Sequence, residues 1–118
     1  VYKMEVYALA RYMNRAGEVI PENSLSKPPS AELRPDQKDS DSLPPYEVLD
    51  KLLYQYIECR QGPKELMAMG FDEALVQRVL RMVNINEFKR EQAAPVLRVS
   101  TKAFGMGRRM PIVGKYLS

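Results

Sequence analysis

At 118 residues, with 45% apolar and 28% charged side chains, the chain has the composition of one soluble globular domain. No run approaches the roughly 18 apolar residues of a membrane span, and none reads as the apolar region of a secretory leader. With no histidine and a single cysteine, Cys59, neither a His/Cys zinc site nor an internal disulfide can be built, and the cytoplasm is the expected compartment. The net charge of +3 is unevenly spread. No acid follows Glu91, whereas Arg98, Lys102, Arg108, Arg109 and Lys115 all come after it. Such a tail suits an acidic surface or phosphate groups.

The chain opens inside an apolar helical pattern, with no initiator methionine and no cap, as a segment of a longer protein would. Tyr2, Val6, Leu9, Ala10 and Met13 recur at three- and four-residue steps and predict a helix over 2–15, ended by Gly17. From Gly17 to Leu43 no apolar period is sustained. Pro21, Pro28, Pro29 and Pro35 with Ser, Asp and Asn residues predict a long loop carrying one helical turn near Pro21. Structureless loops of this length are usually lids, binding loops or linkers.

Pro44 and Pro45 predict the start of a second helix, with Pro45 in its first position and Leu43 stapled to Val48. Its buried stripe is Tyr46, Leu49, Leu53, Tyr56 and Ile57. Pro63 opens a short third helix and Gly70 closes it. Asp72 caps a fourth, whose core face is Leu75, Val79, Leu80 and Val83, with Phe71 stapled to Val76. Asn84 and Glu87 have the spacing of a capping box for a last helix reaching about Ala93. Residues 95–118, rich in glycine and proline, predict an irregular basic tail.

Three segments carry chemistry. Lys27-Pro28-Pro29-Ser30-Ala31-Glu32-Leu33 joins a stiff backbone to a cation and a hydroxyl, a combination that fits phosphate contact or a solvated proline-rich turn. Asn86-Glu87-Phe88-Lys89-Arg90 places two cations at a helix end, either as a binding group or as a solvated face favoured by the helix dipole. In Phe104-Gly105-Met106-Gly107-Arg108-Arg109, glycines permit close approach and arginines bidentate contacts. Cys59 has no histidine to act as its base and is not read as a nucleophile. An alternative is a stand-alone helical protein-binding module resembling a ubiquitin-associated domain, with Met69-Gly70-Phe71 as its binding turn. Against it stands the polar stretch from Glu87 to Gln92, which is poorly suited to completing a small bundle.

Read in order, Val6-Tyr7-Ala8-Leu9-Ala10-Arg11-Tyr12, Ile20-Pro21, the Lys27–Leu33 segment, Asp41-Ser42-Leu43-Pro44-Pro45-Tyr46-Glu47-Val48-Leu49-Asp50, Gly70-Phe71-Asp72 and Asn86-Glu87-Phe88-Lys89-Arg90 resemble the C-terminal part of the bacterial glutamine-dependent NAD synthetase family. The resemblance implies a mainly α piece: residues 1–118 as the C-terminal helical flank of a doubly wound α/β domain of the adenine nucleotide α-hydrolase-like type. It implies a ligase that adenylates deamido-NAD⁺ with ATP and Mg²⁺ and then replaces AMP by ammonia released from glutamine in a separate glutaminase domain. Lys89 matches a lysine that contacts deamido-NAD⁺, and Phe88 stands where ammonia-dependent relatives have histidine. Ser30, with Lys27 assisting, matches a nucleotide lid, set here at residues 18–43. Arg108 and Arg109 match a tail near the synthetase–glutaminase junction.

The family's Ser-Gly-Gly-x-Asp-Ser pyrophosphate loop does not occur in these 118 residues. The expectation is therefore no catalytic residue, no metal ligand and no activity in this chain alone. Its apolar helix faces, covered by strands in the parent, predict a homo-oligomer. Neither a nucleic acid nor a membrane partner is expected.

Overall fold

The computed structural model describes residues 1–39, 42–95, 97–99 and 101, and every regular element among them is helical. The chain divides into two compact units, Val1–Asp50 and Lys51–Ser118.

In the first unit, α1 runs Lys3–Met13 and tightens into a 3-10 turn, Asn14–Ala16. Glu5 accepts a hydrogen bond from the Tyr2 N–H at 2.8 Å, and Asp50 accepts one from the Met4 N–H at 2.7 Å. Two donors that a helix start leaves without an intrahelical partner are thereby satisfied. Gly17, at φ +146° and ψ 159°, turns the chain in a region essentially reserved for glycine. Asn14 holds the turn beyond it: its Oδ1 accepts from the Val19 and Ile20 N–H groups and its Nδ2 donates to the Ile20 carbonyl. A short helix, α2, occupies Glu22–Ser26, as the proline spacing predicts.

Of the apolar face predicted for α1, Ala10 is covered and most of the rest is left open, in line with the expectation that this face is not fully covered within the chain. Val6, Leu9 and Met13 stand exposed, Leu9 by 56%. Ala10 is the buried residue of α1, with Met4, Tyr7 and Asn14 half-buried. Periodicity identifies an apolar face correctly but cannot say whether its cover belongs to the same chain.

α3, Tyr46–Ile57, begins one residue later than predicted. The Pro45 carbonyl accepts from the Val48 and Leu49 N–H groups, so Pro45 is the cap rather than the first helical residue. Leu49 is buried, whereas Val48 is about one-third exposed at 36%.

The second unit holds most of the buried apolar side chains. Leu52 and Ile57 of α3 lie with Leu66 of α4 (Pro63–Ala68) and Val76, Val79 and Leu80 of α5 (Glu73–Ile85) among the buried residues. Leu52, absent from the predicted stripe, is fully buried, while Leu53 is only partly covered. Each fully buried aliphatic side chain contributes about 1.5–3 kcal/mol relative to exposure.

The α4–α5 corner follows from sequence. Pro63 starts α4 and Asp72 caps α5 by accepting from the Leu75 N–H at 3.2 Å. Gly70, at φ +97°, ends α4 in a Schellman motif: the Phe71 N–H reaches the Leu66 carbonyl and the Gly70 N–H the Met67 carbonyl. Asn84 does not cap the last helix. It lies inside α5, and Asn86 separates α5 from α6, Glu87–Glu91, with its side chain donating to the Met82 carbonyl at 2.8 Å. The backbone stays helical through Asn84 because α5 already satisfies it there. Residues 95, 97–99 and 101 carry no regular element, and the other residues of the basic tail lie outside the described residues.

Candidate functional site

Lys27 and Ser30 lie in the loop that follows α2 and line one open depression of about 510 Å³. Arg34 and Lys38 add two more positive charges to its wall, against the carboxylates of Glu32 and Asp36. The Lys27 Nζ lies 3.2 Å from a Glu32 carboxylate oxygen, with both side chains largely exposed. Such an exposed pair contributes between 0 and about 1 kcal/mol. The Ser30 Oγ accepts from the Glu32 N–H at 3.0 Å, and Glu32 turns through a left-handed conformation at φ +54°. Asp36 repeats that conformation at φ +53°, and the Gln37 side chain accepts from the Leu33 N–H.

The base of this loop is closed. The Asp39 N–H donates to the Pro29 carbonyl at 2.8 Å, bringing the two ends of the 29–39 segment together. The Asp39 carboxylate accepts from the Tyr46 hydroxyl at 2.7 Å, which ties that base to the first turn of α3. Burial pushes the Tyr46 hydroxyl up from 10.0 to about 12, and the hydrogen bond and charge of Asp39 add to the effect. A cavity of about 220 Å³ adjoins the base, walled by Pro28, Pro29, Pro44 and Pro45 with Met4 and Tyr7. The Lys3 ammonium stands 5.3 Å from the Tyr7 ring centre and 5.9 Å from that of Tyr46.

Lys89 is exposed on α6, its backbone N–H bonded to the Asn86 carbonyl. Next to it, Glu87 is buried to 3% exposure and forms an ion pair with Arg90, one turn on. Capping-box spacing predicts Glu87 as the residue reaching back to an Asn84 cap, whereas the structure makes it a partner of Arg90. The i,i+3 spacing of the two is the signal in the sequence for that pair. Arg108 and Arg109 lie outside the described residues. Among the described residues no three His, Cys, Asp or Glu side chains converge on a point able to hold a metal ion. Cys59 is an exposed free thiol. No helix among those described is long and apolar enough to cross a membrane.

A lysine, a serine and two further cations line one depression, with the carboxylates of Glu32 and Asp36 in the same wall. The sequence model of the NAD synthase family matches residues 1–93, more than three-quarters of the chain. The chain belongs to the NAD synthase family. The glutamine-dependent NAD(+) synthetase of Acinetobacter baylyi is 53% identical over 115 residues, covering 96% of this chain and 21% of the relative. That of Thermotoga maritima is 50% identical over 118 residues, covering 98% and 20%. Among solved structures, a glutamine-dependent NAD+ synthetase from Acinetobacter baumannii in complex with ADP is similar at 40% identity and a TM-score of 0.58, over 95% of this chain and 19% of that one. The chain thus spans about a fifth of the length of these NAD synthetases. The Met69-Gly70-Phe71 turn, which suggested a binding module, is accounted for as the Schellman end of α4.

Proposed function

We propose that this chain is the C-terminal part of the ammonia-ligase domain of a glutamine-dependent NAD synthetase, forming the helical flank of its doubly wound α/β fold. The observation that supports the reading is identity of about one half, sustained over nearly the whole chain, with proteins of that name. In the parent, the deamido-NAD⁺ carboxylate attacks the α-phosphorus of ATP and releases pyrophosphate. Ammonia then attacks the acyl carbon and AMP leaves with the bonding pair. A free carboxylate is a poor electrophile, and adenylation supplies the leaving group.

This chain contributes binding and enclosure to that reaction. Residues 18–43 act as a lid on which Ser30 and Lys27 contact phosphate oxygens, and closure keeps water from the adenylate. Nucleotide use agrees with the ADP held by the Acinetobacter baumannii relative. Lys89 makes a charge-assisted contact to deamido-NAD⁺. Arg108 and Arg109 lie toward the glutaminase domain, which supplies ammonia. Magnesium, which would offset phosphate charge, finds no ligand set among the described residues of this chain. The exposed Val6, Leu9 and Met13 face is the surface through which the chain by itself would form a homo-oligomer.

The test is complementation of function in two halves. The isolated chain, given ATP, deamido-NAD⁺ and ammonia, yields no NAD⁺, because it lacks the pyrophosphate loop. The full-length protein yields NAD⁺ and AMP, and Ser30→Ala raises its KM for ATP. A full-length protein that forms no NAD⁺ from these substrates would overturn the reading.

A further inference from the structure

We propose that Tyr46 and Asp39 form the anchor on which the lid turns, and that Tyr46 is a positioning residue for Ser30. The proposal rests on the reading of Lys27 and Ser30 as a nucleotide lid, and it narrows the moving part of that lid to residues 30–38.

Asp39 is bonded on three sides. Its N–H donates to the Pro29 carbonyl at 2.8 Å, its carbonyl accepts from the Leu43 N–H at 2.9 Å, and its carboxylate accepts from the Tyr46 hydroxyl at 2.7 Å. The first bond joins the ends of the loop, the second starts the return toward α3, and the third fixes the assembly to that helix. Pro29, whose carbonyl receives the first bond, has a restricted φ angle. Ser30 is the residue directly after the clamped Pro29 carbonyl. Any displacement of Asp39 is transmitted to Ser30 through one peptide unit. The 29–39 segment behaves as a compact loop with pinned ends, within which the left-handed turns at Glu32 and Asp36 shape the depression. Tyr46 thereby sets the direction in which the Ser30 hydroxyl is offered, without touching the nucleotide itself.

The experiment compares Tyr46→Phe, Ser30→Ala and their combination in the full-length enzyme, with ATP, deamido-NAD⁺ and glutamine varied in turn. Tyr46→Phe removes one oxygen and keeps the ring, and the expected result is a rise in KM for ATP of about two- to tenfold, the range for loss of one hydrogen bond. The KM for glutamine stays at the parent value. The double variant shows no further rise over Ser30→Ala, because both act through one contact. Asp39→Asn retains a carbonyl acceptor for Tyr46 and raises the KM less than Asp39→Ala, which keeps the test available if one variant folds poorly. A folded Tyr46→Phe enzyme with unchanged KM for ATP, while Ser30→Ala raises it, overturns the anchor and leaves the lid reading standing. Additive effects in the double variant also overturn it. An unchanged KM in Ser30→Ala overturns the lid reading, and the anchor with it.

Discussion

Asp50, on α3, accepts a 2.7 Å hydrogen bond from the Met4 N–H in the first turn of α1, across 46 positions of sequence. α1 is therefore capped by a residue of another helix, with a carboxylate facing the positive end of its dipole. Asp50→Ala should lower stability by about 1 kcal/mol, and Asp50→Asn by less, since an amide oxygen still accepts. Denaturant unfolding followed by circular dichroism tests this. Equal losses in both variants would place the contribution in the charge alone.

The Tyr46–Asp39 bond makes an alkaline prediction. A hydroxyl whose pKa is raised from 10.0 to about 12 on folding contributes stability that is fully present below pH 10 and is lost as pH rises toward 12. In that window the parent chain should lose stability more steeply than Tyr46→Phe, and the two curves should converge at the alkaline end. Parallel curves from pH 9 to 12 would mean that Tyr46 does not couple to folding.

Glu87 and Arg90 should respond asymmetrically. Arg90→Met leaves a carboxylate at 3% exposure without this cation, and breaking a buried pair in that sense costs about 3–5 kcal/mol. Glu87→Gln should cost less, because the Arg90 side chain is 25% exposed and reaches water. Urea midpoints of the two variants decide the order.

Lys89 is exposed, so Lys89→Ala should change stability by no more than about 0.5 kcal/mol. In the full-length enzyme the same substitution should weaken deamido-NAD⁺ binding roughly ten- to hundredfold, the value of one charge-assisted hydrogen bond. A large fall in melting temperature with unchanged affinity would assign Lys89 to structure.

Local chemistry determined much of this protein from sequence alone. Pro63 as a helix start, Asp72 as a cap, Gly17 and Gly70 as stops, and the apolar positions Val79 and Leu80 were all legible, because each depends on a residue's own backbone preference or a period within one helix. The family was legible too, from motifs spread along the chain, and its sequence model matches residues 1–93. The tertiary structure decided which side chains of α3 are covered: it buried Leu52 rather than Leu53. It also joined Asp50 to Met4 and Asp39 to Tyr46, and turned Glu87 from the expected partner of an Asn84 cap into a buried partner of Arg90. Period and propensity act over a few residues: the i,i+3 spacing of Glu87 and Arg90 is local, but the burial of that pair, like the Asp50–Met4 bond across 46 positions, depends on where folding places groups.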